Sequence, residues 1–270
     1  MRTIVIQNIK GGVGKSTTVI NMAEILAELG NEVLCIDADP QCNLSQFYGY
    51  LDPEKICGQT LYQLLNLDAE GRSDVAEDYI VPTPVNGVML LPGSIDLIGA
   101  DIASIYKADG RVSIKAIGDL LEALTESGRG VIDPPEPFDY VLIDCPPSFT
   151  AASVAALAAA DDVIIPVEAD LFAITGLKTL LKQVESVRRF KPRIRIAGAL
   201  ITKWHNTASC VQGECALRAS TVPVFRQVIR RSDKVTESIF AGQGLQAYSP
   251  QSAAGRDYRA FVAEYLEGVR

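Results

Sequence analysis

The sequence is poor in histidine, tryptophan and methionine, with one, one and three among 270 residues. It also has no stretch of about 18 consecutive apolar residues, so a bilayer-spanning helix is excluded despite a hydrophobic fraction of 48%. Between Met1 and the first glycines there is no room for a charged leader, an apolar stretch and a cleavage site. A cytoplasmic chain without a secretory signal is expected, its six cysteines (35, 42, 57, 145, 210 and 215) reduced and mostly small core residues. Cys210 and Cys215 form a C-x4-C pattern near His205, but one histidine and no second cysteine pair argue against zinc.

The net charge of −8 argues against a polyanionic partner only when taken as one number. Residues 1–187 hold 11 Lys/Arg and 27 Asp/Glu, a balance of −16, whereas residues 188–270 hold 14 and 6, a balance of +8. An acidic body with a basic last third can present a local positive face, and a polyanion meets the local field.

Apolar periodicity predicts alternating strands and helices. Thr3–Gln7 reads as a strand, and Ser16–Leu29 as a helix with an apolar stripe closed by Gly30. Val33–Ile36, Tyr140–Ile143, Val163–Val167 and Ile194–Ile201 read as further buried strands, the first two ending at Asp37 and Asp144. Continuous apolar strands separated by helices predict an α/β fold with a mostly parallel sheet covered on both faces. Such sheets bind ligands at the C-terminal ends of their strands. One domain spanning 1–270 is expected, with Gly128–Pro137 as a surface loop.

The first strand runs into Lys10-Gly11-Gly12-Val13-Gly14-Lys15-Ser16-Thr17, which opens the first helix. Glycines let backbone N–H groups close around phosphate oxygens, and the helix N-terminus adds partial positive charge. Lys15 would reach the β- and γ-phosphates, and the Ser16 hydroxyl would ligate Mg²⁺. The general pattern wants glycine where Ile9 stands, and Lys10 adds a second cation inside the loop. Asp37-Ala38-Asp39-Pro40-Gln41 and Asp144-Cys145-Pro146-Pro147-Ser148 follow two other strands. A carboxylate at such a strand end can hold Mg²⁺ through water, because that ion keeps most of its waters.

Lys10–Thr17 resembles the deviant Walker A motif of the ParA/MinD ATPases. The similarity to ParA-type DNA-partitioning ATPases extends through Asp37–Gln41, Asp139–Ser148, Ile165–Leu177 and the tail from Val228 to Tyr258. It implies ATP and Mg²⁺ as ligands and an ATP-sandwich homodimer in which Lys10 contacts the nucleotide of the opposite subunit. It further implies that Asp39 positions the attacking water and that Thr17 contacts phosphate. The expected catalytic residues are therefore Lys10, Lys15 and Asp39. The nucleotide cradle is Gly11, Gly12, Val13, Gly14, Lys15, Ser16 and Thr17, and the Mg²⁺ set is Ser16, Asp37 and Asp144, partly through water.

The basic tail fits this resemblance. One cluster is Arg188, Arg189, Lys191, Arg193 and Arg195; a second is Arg226, Arg230, Arg231 and Lys234. Lys234 falls where ParA-type proteins carry a DNA-contacting basic residue, while Arg230 replaces a proline that in relatives lies near the adenine. Arg188, Arg189, Arg226, Arg230, Arg231 and Lys234 are the expected contacts to nonspecific double-stranded DNA, made through phosphates. A ParB-like centromere-binding partner, a nucleoid-associated location and no N-terminal helix-turn-helix domain complete the expectation. The alternative is a MinD-like or cargo-positioning ATPase on a non-DNA surface. Against the membrane version, the last helix (about Ser252 to Gly268) mixes Arg256, Asp257, Arg259, Glu264 and Glu267 on its polar face. Its stripe of Tyr258, Phe261, Val262, Tyr265 and Leu266 reads as core packing.

Overall fold

In a computed structural model, residues 1–50, 59–99, 112–127, 138–170, 173–189 and 191–269 are described. The loop expected at Gly128–Pro137 and the thiol of Cys57 lie outside them. The strands are β1 (Arg2–Ile6), β2 (Val33–Asp37), β3 (Val81–Pro82), β4 (Val88–Leu91), β5 (Tyr140–Asp144), β6 (Asp162–Glu168) and β7 (Arg195–Thr202). They form one sheet in the order β3-β4-β2-β5-β1-β6-β7, parallel except for the β3–β4 edge pair. The five strands expected from apolar runs form its centre and one edge, each within a residue or two of its expected bounds. The β3–β4 edge carried no clear signal, because two short runs split by Pro82, Pro84 and Gly87 resemble a loop.

Successive side chains along a strand face opposite sides. In β1, Ile4 and Ile6 pack beneath α1 (Lys15–Glu28), whereas Val5 packs on the other side. The short α2 (Asn43–Phe47) follows β2, and α3 (Leu61–Leu65), α4 (Ala116–Ser127), α5 (Ala151–Ala159) and α6 (Ala173–Arg188) contribute to the Val5 side. After β7 come α7 (Ala208–Arg218), α8 (Asp233–Phe240), α9 (Leu245–Tyr248) and α10 (Ala253–Glu267). The last helix buries Tyr258, Phe261, Val262 and Tyr265 in the α1-side core, as its stripe predicts. Ser252 caps it, its hydroxyl accepting from Gly255 N at 3.1 Å. Among the described residues no helix is long and apolar enough to cross a membrane.

Register then places the chemistry. Ile6, Asp37 and Asp144 stand level on three adjacent strands, because Asp144 pairs with Ile6 on one side and Asp37 on the other. The glycine loop that leaves β1 therefore rises beside two strand-end carboxylates.

Candidate functional site

The loop is shaped by backbone conformation. Gly12 (φ +74°) and Gly14 (φ +87°) adopt left-handed geometry, and nothing lies within 4 Å of where a Cβ would stand. Conformation, not crowding, therefore demands glycine there. Side chains from other elements brace the loop. Asn8 donates to the Pro166 carbonyl at 2.6 Å and accepts from Lys10 N at 3.0 Å; the Thr202 hydroxyl donates to Val13 O at 2.8 Å. Lys15 is buried, and its Nζ donates to the Lys10 carbonyl across the loop at 3.1 Å. No side chain caps the N-terminus of α1 and no acidic residue stands in its first turn, which leaves its amide dipoles to an anion.

Asp37 and Asp144 are buried at the floor of this site. Asp37 is clamped: Ser45 donates to it through its backbone N (2.8 Å) and hydroxyl (2.7 Å), and Asp39 N donates at 3.2 Å. Ser45 is in turn oriented by Gly93 N, 3.0 Å from its Oγ. Neither oxygen of Asp144 has a partner at ordinary hydrogen-bond distance. Burial pushes both carboxyls above the usual range, and each is further raised by an acidic neighbour. Burial also lowers the Lys15 pKa, against the pull of Asp144 and Asp39. Asp39 is buried close by, its Oδ1 accepting from Gln41 N at 2.9 Å. Two adjacent buried carboxylates, one with no partner at ordinary hydrogen-bond distance, suit a hard divalent cation that brings its own waters as donors. The Ser16 side chain acts on Asp144 by lowering its pKa, and its hydroxyl could add one more oxygen to such a set.

Beside the loop, toward β7, a cavity of about 910 Å³ is lined by Gly14, Thr17, Thr202, Arg230, Arg231 and Tyr258, among others. Arg230 lines it but is bound to Asp257, its Nε and Nη2 donating at 2.8 and 2.7 Å and its backbone N at 2.9 Å. Lys10, at the loop's outer edge, is paired with Asp170 and Glu168 of its own subunit.

A family model described as an AAA domain matches residues 1–196. The chromosome partitioning protein ParA of Caulobacter vibrioides is 34% identical over 273 residues, covering 100% of this chain and 96% of that protein. The chromosome-partitioning ATPase Soj of Thermus thermophilus is also 34% identical, over 100% of this chain and 97% of its own length. The chain belongs to the ParA/Soj family of chromosome-partitioning ATPases. A solved structure of cobyrinic acid a,c-diamide synthase from Mycobacterium smegmatis, with bound ADP and magnesium, also shares the fold. Its TM-score is 0.76 and its identity 29%, with 100% of this chain and 97% of that chain covered.

In this ParA/Soj ATPase the site residues expected from sequence converge at one end of the sheet, whereas the basic residues do not form one patch. Arg188 donates to the Ile194 carbonyl and pairs with Glu185, near the start of β7. Arg231 and Lys234 lie past its far end, where Arg231 N donates to Trp204 O at 2.9 Å. The eight residues of β7 separate the clusters by roughly 25 Å at the usual strand rise. Arg226 pairs with Glu264 and Glu267, and Lys234 with Glu237. Arg189 and Arg231 are exposed. Sequence reasoning missed Asn8, Ser45, Gly93 and Thr202, which hold the loop and Asp37 through contacts distant in the chain. Only Asn8, a polar residue beside the glycine loop, offered a local signal.

Proposed function

We propose that the protein hydrolyses ATP with Mg²⁺, closes two ATP molecules between two subunits, and binds duplex DNA without reading its sequence as a closed dimer. A ParB-like centromere-binding protein would stimulate hydrolysis and so release the DNA. In this reading the loop amides and Lys15 hold the β- and γ-phosphates, with Thr17 adding a hydroxyl. Ser16, Asp37 and Asp144 would hold Mg²⁺, partly through water; the ion would neutralise charge on the β- and γ-oxygens. Asp39 orients the water that attacks the γ-phosphorus, breaking its bond to the β–γ bridging oxygen and giving ADP and phosphate. Lys10 supplies charge to the partner's phosphates, which couples ATP binding to dimerisation. Arg231 and Lys234, past the same edge of the sheet as the loop, are the favoured DNA contacts; Arg188 and Arg189 would need a second contact region.

The observation that carries this reading is the buried carboxylate of Asp144, with no partner at ordinary hydrogen-bond distance, level with clamped Asp37 beside the phosphate loop. Asp144→Asn should raise the Mg²⁺ concentration for half-maximal ATPase activity by about 10–100-fold, as loss of outer-shell metal partners does. An unchanged Mg²⁺ dependence would remove Asp144 from the metal shell.

A further inference from the structure

The cavity beside the glycine loop has one wall set by an ion pair. Arg230 stands past the end of β7, its backbone bracketed by Trp204, whose N–H donates to the Ile229 carbonyl and whose carbonyl accepts from Arg231 N, both at 2.9 Å. Its guanidinium meets Asp257 of α10 in a two-pronged pair: Nε donates to Oδ2 at 2.8 Å and Nη2 to Oδ1 at 2.7 Å. Such a fork fixes the plane of the group as well as its position. Asp257 is buried, yet the Arg230 side chain stays 43% exposed, and among the described residues nothing bonds to its Nη1. The next residue on α10, Tyr258, meets the Thr18 hydroxyl in the first turn of α1 at 3.3 Å. One helix therefore spaces the guanidinium from the phosphate loop.

We infer that Arg230 is a platform on which the nucleotide base stacks, and that the site takes guanine as well as adenine nucleotides. The inference rests on triphosphate binding in the loop. With phosphates at Gly11–Thr17, the sugar and base would leave along the first turn of α1 into the cavity that Gly14, Thr17 and Arg230 share. Its volume of about 910 Å³ lies within the roughly 300–1,000 Å³ of small-ligand pockets. The pairing decides what Arg230 offers there. Asp257 neutralises its charge, which leaves little pull for a phosphate, whereas the delocalised plane remains a stacking surface for an aromatic ring. A face touches the π-system of any base and reads none of the edge groups that distinguish adenine from guanine. Asp257 is a positioning residue, acting through Arg230.

Calorimetric titration of the full chain with Mg²⁺ and ATP, GTP or inorganic tripolyphosphate, which has no base, tests this. In wild type, GTP should bind within about tenfold of ATP. Arg230→Ala should weaken both nucleotides about three- to thirtyfold, the range for losing one guanidinium–ring contact, and leave tripolyphosphate within about twofold. Arg230→Lys keeps the charge and loses the plane, so it should behave like Arg230→Ala. Asp257→Asn should weaken ATP severalfold alone but not in the Arg230→Ala background, since residues that share one contact are non-additive. Additive losses would deny Asp257 its positioning role. GTP binding weaker than ATP by more than about tenfold would mean that the base edge is read. Equal losses for tripolyphosphate would place Arg230 on the phosphates, and full ATP affinity in Arg230→Ala or Arg230→Lys would remove the platform. Each of these three results overturns the inference. Lys15→Ala separates it from the reading beneath it. Unchanged ATP affinity in that variant would bring down the phosphate loop and the platform together; a loss there, with Arg230→Ala unaffected, overturns only the platform.

Discussion

Asp37 and Asp144 stand level on adjacent strands, both buried, yet Asp37 accepts three hydrogen bonds while Asp144 has no partner at ordinary distance. The asymmetry divides their work. Asp37 is fixed by the protein; in the proposed site Asp144 would be left to a cation or its waters. Gly93 sets how close the clamp can approach, since a Cβ there would lie 2.9 Å from the Asp37 carbonyl oxygen and 3.1 Å from its Cγ.

Gly93→Ala should therefore strain a backbone atom that cannot swing aside. The expected cost is about 1–3 kcal/mol of stability, the usual range for overpacking, with a higher Mg²⁺ requirement because Asp37 moves. Thermal unfolding and a Mg²⁺ titration of the ATPase check both parts. Wild-type behaviour in each would mean that Asp37 tolerates the displacement.

Lys15→Ala and Asp39→Ala should fail differently. Loss of the buried Lys15 ammonium removes a charge-assisted contact worth about 1.5–3 kcal/mol, so ATP affinity should drop by roughly 10–100-fold. Asp39 lies outside the phosphate cradle, so Asp39→Ala should bind ATP nearly normally, stop turning it over and accumulate as dimer. Calorimetric titration with ATP and a steady-state phosphate assay distinguish the two variants. Wild-type turnover by Asp39→Ala would deny that residue its role.

Glu24 of α1 is buried, with Gly244 N donating to its Oε1 at 3.1 Å. Burial pushes its pKa up from 4.5 to about 7, with the Gly244 N–H opposing the rise. Because the folded value exceeds the unfolded one, its share of stability is fully present below pH 4.5 and is lost as pH rises through about 7. Glu24→Gln keeps the acceptor and removes the titration. The variant should gain on wild type by on the order of 1–3 kcal/mol between pH 4.5 and 8, measured by urea unfolding. The shared contributions of Asp37 and Asp144 cancel in that difference. A stability gap independent of pH would mean that Glu24 titrates normally.

Local signals carried much of this structure. The run from β1 through Gly14 into α1 combines apolar periodicity, left-handed glycines and a helix start within about 28 residues. Asp37 and Asp144 were readable because each ends a continuous apolar strand. The clamp on Asp37 was not, because Ser45 and Gly93 meet it only after β4 pairs with β2. The intrasubunit hold on Lys10 was equally hidden, since Asp170 lies 160 residues away in sequence. Charge counting placed Arg188 and Lys234 in one basic third of the chain, and β7 sets their two clusters at its opposite ends. Arg230 counted as a free cation until Asp257 on α10 proved to bind it.

The central claim is that ATP builds a DNA-binding dimer, and fluorescence anisotropy on random-sequence duplexes, with and without ATP, at two salt concentrations tests it most directly. Two weak sites joined in one dimer gain about 10²–10⁴ in avidity, so binding should need ATP and ignore sequence. Affinity should fall with salt at a log–log slope of about −0.9 per phosphate neutralised. Arg231→Glu or Lys234→Glu should weaken binding to every duplex and flatten that slope, while ATP-dependent dimerisation survives. An ATP-bound dimer that ignores DNA even at low salt would contradict the account and leave a surface other than DNA as its track.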